Sequence, residues 1–467
     1  MKSVLTKYFT VNPIQLIILF IVCYYNCLRP NLFLKVILIA YIILCLNRRL
    51  TYLIRLVIMF STLMTFLIFF QFHQKSIENQ KIQNVQHIRL VPDSIQIDGD
   101  QLSAQAQYRR YTVLVHSRLK SKTEKIFFQN NKDWLELKID SKVEEIMTKR
   151  NFKGFDYKFY LKNKNIYHSI SILSIKSISY SKPKHLIEQF QQWRRMAIIH
   201  SFRIFPEPLN QYLAALLFGY LDKSFQLTLD TYSQLGIIHF FALSGMHADF
   251  FLKVLKKILL RLGMVREHLY YVIIPFSFCF LYLTGSSTSI LRSLLQQNLS
   301  LFGVKNFENL FFVLMIHAFI HPNYLLSIGG LLSYSYAFVI IYLNQHFSLK
   351  SWLKPIAISF IMLPILTSQF SQFQLFSVLL TALLSYLFQC IILPILSFVF
   401  LLSPFINLSK INFLFLFLNN TLSTVETLLP KSIIIGKPNN FITVSLVILS
   451  LILLETYIEK IIDGQVF

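Results

Sequence analysis

The stretch LGIIHFFALSGMH, Leu235 to His247, decides the fold. Two histidines, a serine and a glycine sit in it, inside an otherwise bilayer-like apolar run. Polar groups are costly in hydrocarbon and persist there where a site or a partner needs them. A second such segment lies downstream: LTGSSTSILR, Leu283 to Arg292, ends on an arginine with apolar sequence on both sides. Both segments predict polar sites inside a helical membrane protein.

Composition agrees. Of 467 residues, 54% are hydrophobic, 15% aromatic and only 14% charged, too few charges for a soluble chain of this length. Mean hydropathy is +0.53. Apolar runs of about 18 residues recur, the length of a membrane helix. The 45 Lys+Arg against 22 Asp+Glu give +23. That charge fits a partner of anionic lipid or polyanion, and it equally fits positively charged inner loops. Cys23, Cys27, Cys45, Cys279 and Cys390 lie in apolar segments without zinc-type spacing. No disulfide, metal site or cofactor is therefore expected.

Along the chain, apolar segments near 12–28, 32–46 and 51–70 predict an N-terminal transmembrane region, residues 1–74. The start is not expected to be a cleaved signal, because one apolar run follows another with no small-residue cleavage site. Lys2 and Lys7 precede the first run, and Arg48, Arg49 and Arg55 follow the second. The positive-inside rule then puts the N-terminus in the cytoplasm and residues 75–182 outside. That outer segment alternates with period two, as in IQIDGDQLSAQAQ and YTVLVHSRL, and predicts a small β-barrel. Its fifteen lysines and five arginines against eleven acids leave a net charge of +9, the sign that attracts phosphate.

Residues 183–206 predict an amphipathic helix at the membrane interface. Leu186, Phe190, Trp193 and Ala197 recur at helical spacing beside Arg194, Arg195 and Arg203. In the membrane domain, 207–467, apolar helices are expected near 237–262, 269–284, 288–303, 308–320, 323–343, 352–369, 374–400 and 441–458. With the first three, the chain reads as a polytopic α-helical membrane protein of roughly ten transmembrane helices, at about 20 residues each.

Within the expected helix 237–262, Ser244-Gly245 weakens the middle. Glycine costs about 1 kcal/mol of helix propensity, and serine competes for backbone hydrogen bonds. A broken helix at bilayer depth is one way to build a polar site. On a continuous helix His239 and His247 would lie about 80° apart. Each histidine has a packing reading and a ligand-contact reading. Asp249 would pair with His247, pair with Arg292, or lie at the surface. Arg292 must face water, an acid or a phosphate. It either touches a translocated strand or pairs with Asp249 or a carbonyl. Ser289, Arg292, Ser293 and Gln296 recur at i, i+3, i+4 and i+7, a stripe suited to a pore lining.

In the outer segment RNFKGFDYKFYLKNKNIY, Arg150 to Tyr167, aromatics interleave with Lys153 and Lys158. Phe155, Tyr157, Phe159 and Tyr160 either stack nucleic-acid bases or fill the barrel core. No P-loop, Ser–His–Asp order or zincin motif is present.

These spaced elements resemble the ComEC competence family. Gly236, His239, Ala242, Ser244, Gly245 and His247 fit its first membrane motif. Thr284, Gly285, Ser289 and Arg292 fit its LTG-x-x-x-S-x-x-R element. Arg150, Asn151, Gly154, Phe155, Asp156, Tyr157, Tyr160 and Leu161 fit an element of its outer domain, with Phe152 at a usual proline and Lys153 at a usual glycine. Gly219, Asp222, Lys223 and Ser224, then Pro322, Gly329, Leu332 and Ser333, fit two more elements. His321 stands at a usual aspartate, and Asp249 at a usual small residue.

The resemblance implies a bacterial plasma-membrane channel for single-stranded DNA in natural transformation, with an extracellular OB-like β domain. It implies a DNA path along His239, Ser244, Gly245, His247, Asp249, Ser289, Arg292 and Gln296. Outer contacts to DNA would come from Arg150, Lys153, Tyr157 and Lys158. Implied partners are single-stranded DNA, a ComEA-type receptor, a ComF-type helicase and ATPase, a separate nuclease and membrane lipid; a homodimer is left open. The HxHxDH metal motif of longer relatives is not found, so the chain reads as a short form and not as an enzyme. The rival readings are a secondary transporter for a small anion, with Arg292 as its clamp, and a non-conducting truncated scaffold.

Overall fold

The computed structural model describes residues 85–109, 111–148, 156–241, 245–320, 327–346, 353–370, 372–374, 376–429, 433–434, 443, 446–447 and 449–450. The expected N-terminal spans and nearly all of 441–458 lie outside the described residues, as do Arg150, Lys153, Phe155 and Ser244. The chain divides into two compact units. One takes the residues up to Ile199 together with Val254–Gly330; the other takes His200–Lys253 and the chain from Leu331 on.

The first unit opens with a β-barrel-like domain. Its strands are β1 (His87–Leu90), β2 (Gln96–Asp98), β3 (Gln101–Tyr108), β4 (Tyr111–Arg118), β5 (Trp134–Glu144) and β6 (Ile166–Ser181). They follow the order β1-β5-β6-β4-β3-β2, and a β1–β3 pairing closes the ring. All neighbours are antiparallel except β4 and β6, which run parallel. The period-two pattern explains the closure. In β3, Leu102, Ala104 and Ala106 point inward, and in β5 Leu135, Leu137 and Ile139 do the same. A barrel has one inside, so alternation places every second side chain in a single core.

Helix α1 (Lys122–Asn130) crosses between β4 and β5. It starts with a reciprocal cap: Ser121 accepts from the Glu124 amide, and Glu124 accepts from the Lys120 amide. Phe128 of this helix joins the barrel core. A short helix, α2 (Tyr157–Asn163), precedes β6, with Asp156 accepting from the Phe159 amide.

Helix α3 (Leu186–Ile204) follows. The expected amphipathic helix is present, but two of its arginines do not face outward. Arg194 and Arg195 are buried on the barrel. Arg194 Nη1 donates to Asp93 Oδ2 at 2.6 Å. Arg195 donates to the carbonyls of Phe128, Gln129 and Asn131. Across the same contact Arg89 pairs with Glu188 at 2.7 Å, and its guanidinium lies 4.2 Å from the centre of the Trp134 ring. A helix whose cations are buried against an acid and carbonyls cannot offer them to headgroups.

The helices after α3 are α4 (Leu209–Phe218), α5 (Gln226–Gln234), α6 (Gly245–Arg261), α7 (Tyr270–Leu283), α8 (Thr288–Leu301), α9 (Asn306–Ile320), α10 (Ile328–His346), α11 (Leu353–Phe370), α12 (Ser377–Leu402) and α13 (Asn412–Leu428). Six of the expected spans match α7 to α12 closely. The expected helix 237–262 differs. Residues Ile238–Phe240 form a 3-10 turn, and the α-helix begins only at Gly245. His239 and His247 therefore do not share one continuous helix.

Among the described residues, α12 is the one helix long and apolar enough to cross a membrane, with 26 residues and a mean hydropathy of 2.2. Its outer face is apolar: Leu383, Tyr386 and Leu401 are each about 70% exposed (69%, 73% and 70%). In the second unit a set of polar groups pairs inside the fold. The Tyr212 hydroxyl meets that of Tyr232 at 2.9 Å and donates to Asn419 Oδ1 at 2.5 Å. Asn412 accepts from the Leu209 amide and donates to the Glu207 carbonyl.

Candidate functional site

The outer candidate site is α2. Its sequence, YKFYLKN, buries Leu161 and Asn163 and turns Tyr157, Phe159 and Tyr160 outward. Of the two readings of these aromatics, the described ones are exposed rather than in the barrel core. The Tyr157 and Tyr160 rings stack, with centroids 6.1 Å apart and planes 22° from parallel. Lys164 Nζ sits 4.6 Å over the Tyr160 ring. Lys158 lies between the two tyrosines in sequence and is half-buried. Partial burial, then the neighbouring Tyr160, pushes the Tyr157 hydroxyl above its ordinary value. The Tyr157 hydroxyl therefore stays neutral at physiological pH and does not repel a phosphate. Lys164 was not singled out from the sequence, although its i, i+4 spacing from Tyr160 on a helix was available.

The membrane candidates fall on both units, and each unit is described by itself. In the second unit, His239 stands on the 3-10 turn with its ring 4.7 Å from that of Phe240. His247 is fully buried in the first turn of α6, next to Gly245 at the helix start. Asp249 pairs with Lys253 at 2.5 Å, one turn along the same helix. Lys253 was not among the partners expected for Asp249, although the i, i+4 spacing on a helix allows the pair. Gly236 has φ +75°, and a Cβ there would meet the Ser377 Cβ at 2.7 Å. Both the left-handed backbone and the close approach of α12 require a glycine.

In the first unit, α7 and α8 form a hairpin closed by Thr284–Ser287. Ser287 caps α8 by accepting from the Ile290 amide. Arg292 donates to the Gln296 side chain one turn on. Ser289, Arg292 and Gln296 are half-buried, and Ser293 is buried. Asn309 of α9 donates to the Gln296 carbonyl at 2.9 Å, and Ser277 of α7 donates to Asn298 at 3.2 Å. Hydrogen bonds between helices of this kind hold membrane helices together, so the stripe is braced on both sides.

Gly285 joins this hairpin to α3. It has φ +78°, and a Cβ would lie 2.7 Å from Arg194 Nη2. The guanidinium that pairs with Asp93 of the barrel thus packs on the backbone of the LTG turn. Among the described residues, no group of three or more His, Cys, Asp or Glu side chains is arranged to hold a metal ion.

Comparison with known proteins matches residues 216–460, just over half of the chain, to the family model described as Competence protein. A curated relative, ComE operon protein 3 of Bacillus subtilis (strain 168), is 25% identical over 356 residues. The alignment covers 73% of this chain and 45% of that protein, so the chain spans less than half the length of the relative. No solved structure matches. The family match extends over α5 to α13 and both polar segments, and the chain belongs to the competence protein family of membrane proteins.

Proposed function

We propose that this chain admits single-stranded DNA through the bacterial cell membrane during natural competence. In this reading the β-barrel-like domain is an extracellular OB-like module. Its strand order, with one parallel pair and a helix between the third and fourth long strands, supports that assignment. The helical region is the channel, with roughly ten spans once the N-terminal segments are included. His239, Ser244, Gly245, His247, Ser289, Arg292 and Gln296 line the path. Asp249, paired with Lys253 one turn along α6, belongs to the same path. A ComEA-type receptor would deliver DNA, a separate nuclease would leave one strand, and a ComF-type motor would pull it from inside.

The observation that carries the reading is the exposed tyrosine pair of α2, flanked by lysines, in a chain of the competence family. Single strands bind on such platforms. Bases stack on aromatic faces while cations follow the backbone, and each stacked base contributes about 1–3 kcal/mol. The test is fluorescence anisotropy of labelled oligothymidylate with the purified full chain. Tyr157→Ala with Tyr160→Ala is expected to weaken binding at least fivefold, and raised salt is expected to weaken it further. Equal affinity in wild type and double variant would remove the platform from the account.

A further inference from the structure

We propose that the open end of the α7–α8 hairpin binds the headgroups of anionic phospholipid, on the membrane face opposite the barrel. The proposal rests on the hairpin being membrane-embedded, but not on DNA passing through it. The hairpin has two distinct ends. At the closed end, Gly285 packs under the Arg194 guanidinium, and Phe190 of α3 lies 5.9 Å from Phe278 and 6.2 Å from Tyr282. The barrel and α3 therefore flank that end. At the other end, Tyr270 of α7 meets Phe302, the C-cap residue of α8, with ring centroids 5.8 Å apart. The 14 residues of α7 set the two ends apart by about 20 Å, at 1.5 Å per residue.

The far end is basic and amphipathic. Lys256, Lys257, Arg261, Arg266 and Lys305 are all exposed in the segments that lead into α7 and out of α8. The acids in the same stretches are Glu267 and Glu308. Exposed apolar side chains alternate with the cations: Val254, Ile258, Leu262 (78%) and Val265 (58%). A surface facing only water would not expose leucine and valine between lysines. A surface facing only hydrocarbon would not carry five cations. The combination suits the boundary, where long basic side chains lay their stems on apolar surface and lift their heads to phosphate. Tyr270 and Tyr271 come next along α7, in the order of an interfacial aromatic belt. Because Lys and Arg collect on cytoplasmic loops, the geometry orients the molecule: this end inside, the barrel outside.

Two measurements test the proposal. The first reconstitutes the full chain in nanodiscs of mixed phosphatidylglycerol and phosphatidylcholine and counts the lipids retained on extraction by mass spectrometry. Wild type is expected to retain phosphatidylglycerol preferentially. Lys256→Gln, Lys257→Gln, Arg261→Gln and Arg266→Gln should each lower that preference by up to about fivefold. Arg261→Lys with Arg266→Lys should keep it, which separates charge from folding. The second uses a cysteine-free background and a membrane-impermeant maleimide on intact spheroplasts. Lys122→Cys on the barrel should label at once, and Arg266→Cys only after permeabilisation. Equal lipid retention in wild type and the glutamine variants, or labelling of both cysteines from one side, would overturn the proposal. Either result leaves the oligothymidylate test of the barrel untouched.

Discussion

The barrel and the helical region solve opposite solvent problems. In the barrel Leu90, Leu102, Ala106, Val113, Leu135 and Ile170 are inside, and Lys122, Lys164 and their like are outside. In α12 and the first half of α13 Leu383, Tyr386, Ile391, Phe398, Phe413 and Phe417 are exposed, while Asn412 turns inward to the backbone at 207–209; the second half of α13 exposes Asn420, Thr421, Ser423 and Thr424. Water rewards the first arrangement and lipid the second. Unpaired polar groups cannot face hydrocarbon, and apolar ones lose nothing by doing so. The junction combines both: α3 exposes Leu186 and Trp193 yet buries Arg194, Arg195 and Glu188 against the barrel.

The largest expected effect comes from breaking that junction. Arg89→Ala would leave Glu188 buried with the Lys184 amide but without its cation, a loss of about 3 kcal/mol. Hydrogen exchange should show β1, β5 and the start of α3 opening together, with α12 and α13 unchanged. Exchange confined to β1 would mean that the ion pair does not join the two elements.

A single lysine tests the inversion itself. Ile391, near the centre of α12, and Ile126, on the barrel helix α1, are both about half exposed (47% and 56%). Ile391→Lys is expected to cost about 2.5–3.5 kcal/mol of membrane insertion. Ile126→Lys should stay within about 0.5 kcal/mol of wild type. A glycosylation-based insertion assay and thermal unfolding would read the two. Matching tolerance at both positions would mean that α12 does not face lipid.

A smaller effect is expected from pH, and from the barrel side alone. Burial raises the Glu188 carboxyl, but the Lys184 amide and the Arg89 guanidinium outweigh it and hold the carboxyl below its ordinary value. Its contribution is therefore complete above the ordinary carboxylate range and lost as pH falls through the lowered value. Burial also lowers the His116 and His168 imidazoles, with Glu144 partly opposing it at His116. Their neutral forms favour the folded barrel, so stability should start to fall once pH drops below about 6.5, the ordinary histidine value. Melting of the full chain from pH 8 down to about pH 2, below the ordinary carboxylate range, should show the barrel transition moving in two steps. Gln substitution at Glu188 should remove the more acidic step.

Much of this contrast was legible in the sequence. QLSAQAQY and YTVLVHSR alternate cleanly, and β3 and β4 follow them almost residue for residue. The apolar runs likewise gave α7 to α12. What escaped was where polar and apolar residues mix. Helix α13 (NFLFLFLNNTLSTVETL) turns Asn412 and Asn419 to partners inside the fold and leaves Asn420 exposed, and neither a hydropathy run nor a water-facing stripe describes it. Arg194 and Arg195 looked like a headgroup-facing edge because their partners, Asp93 and the carbonyls of Phe128 and Gln129, are distant in sequence. Gly236 and Gly285 stood out as motif glycines, but their reason is tertiary: Ser377 and Arg194 leave no room for a Cβ.

The central claim is that a DNA strand crosses the helical region past Arg292. The most direct measurement follows import of a labelled strand, with transformation as its readout, in a deletion strain rescued by wild type or by Arg292→Ala, with membrane levels matched. The account predicts full rescue by wild type and loss of import with Arg292→Ala while oligothymidylate binding by the purified variant is unchanged. Import at wild-type level in the Arg292→Ala strain would contradict Arg292 as part of the path, and normal transformation in the deletion strain itself would contradict the uptake function.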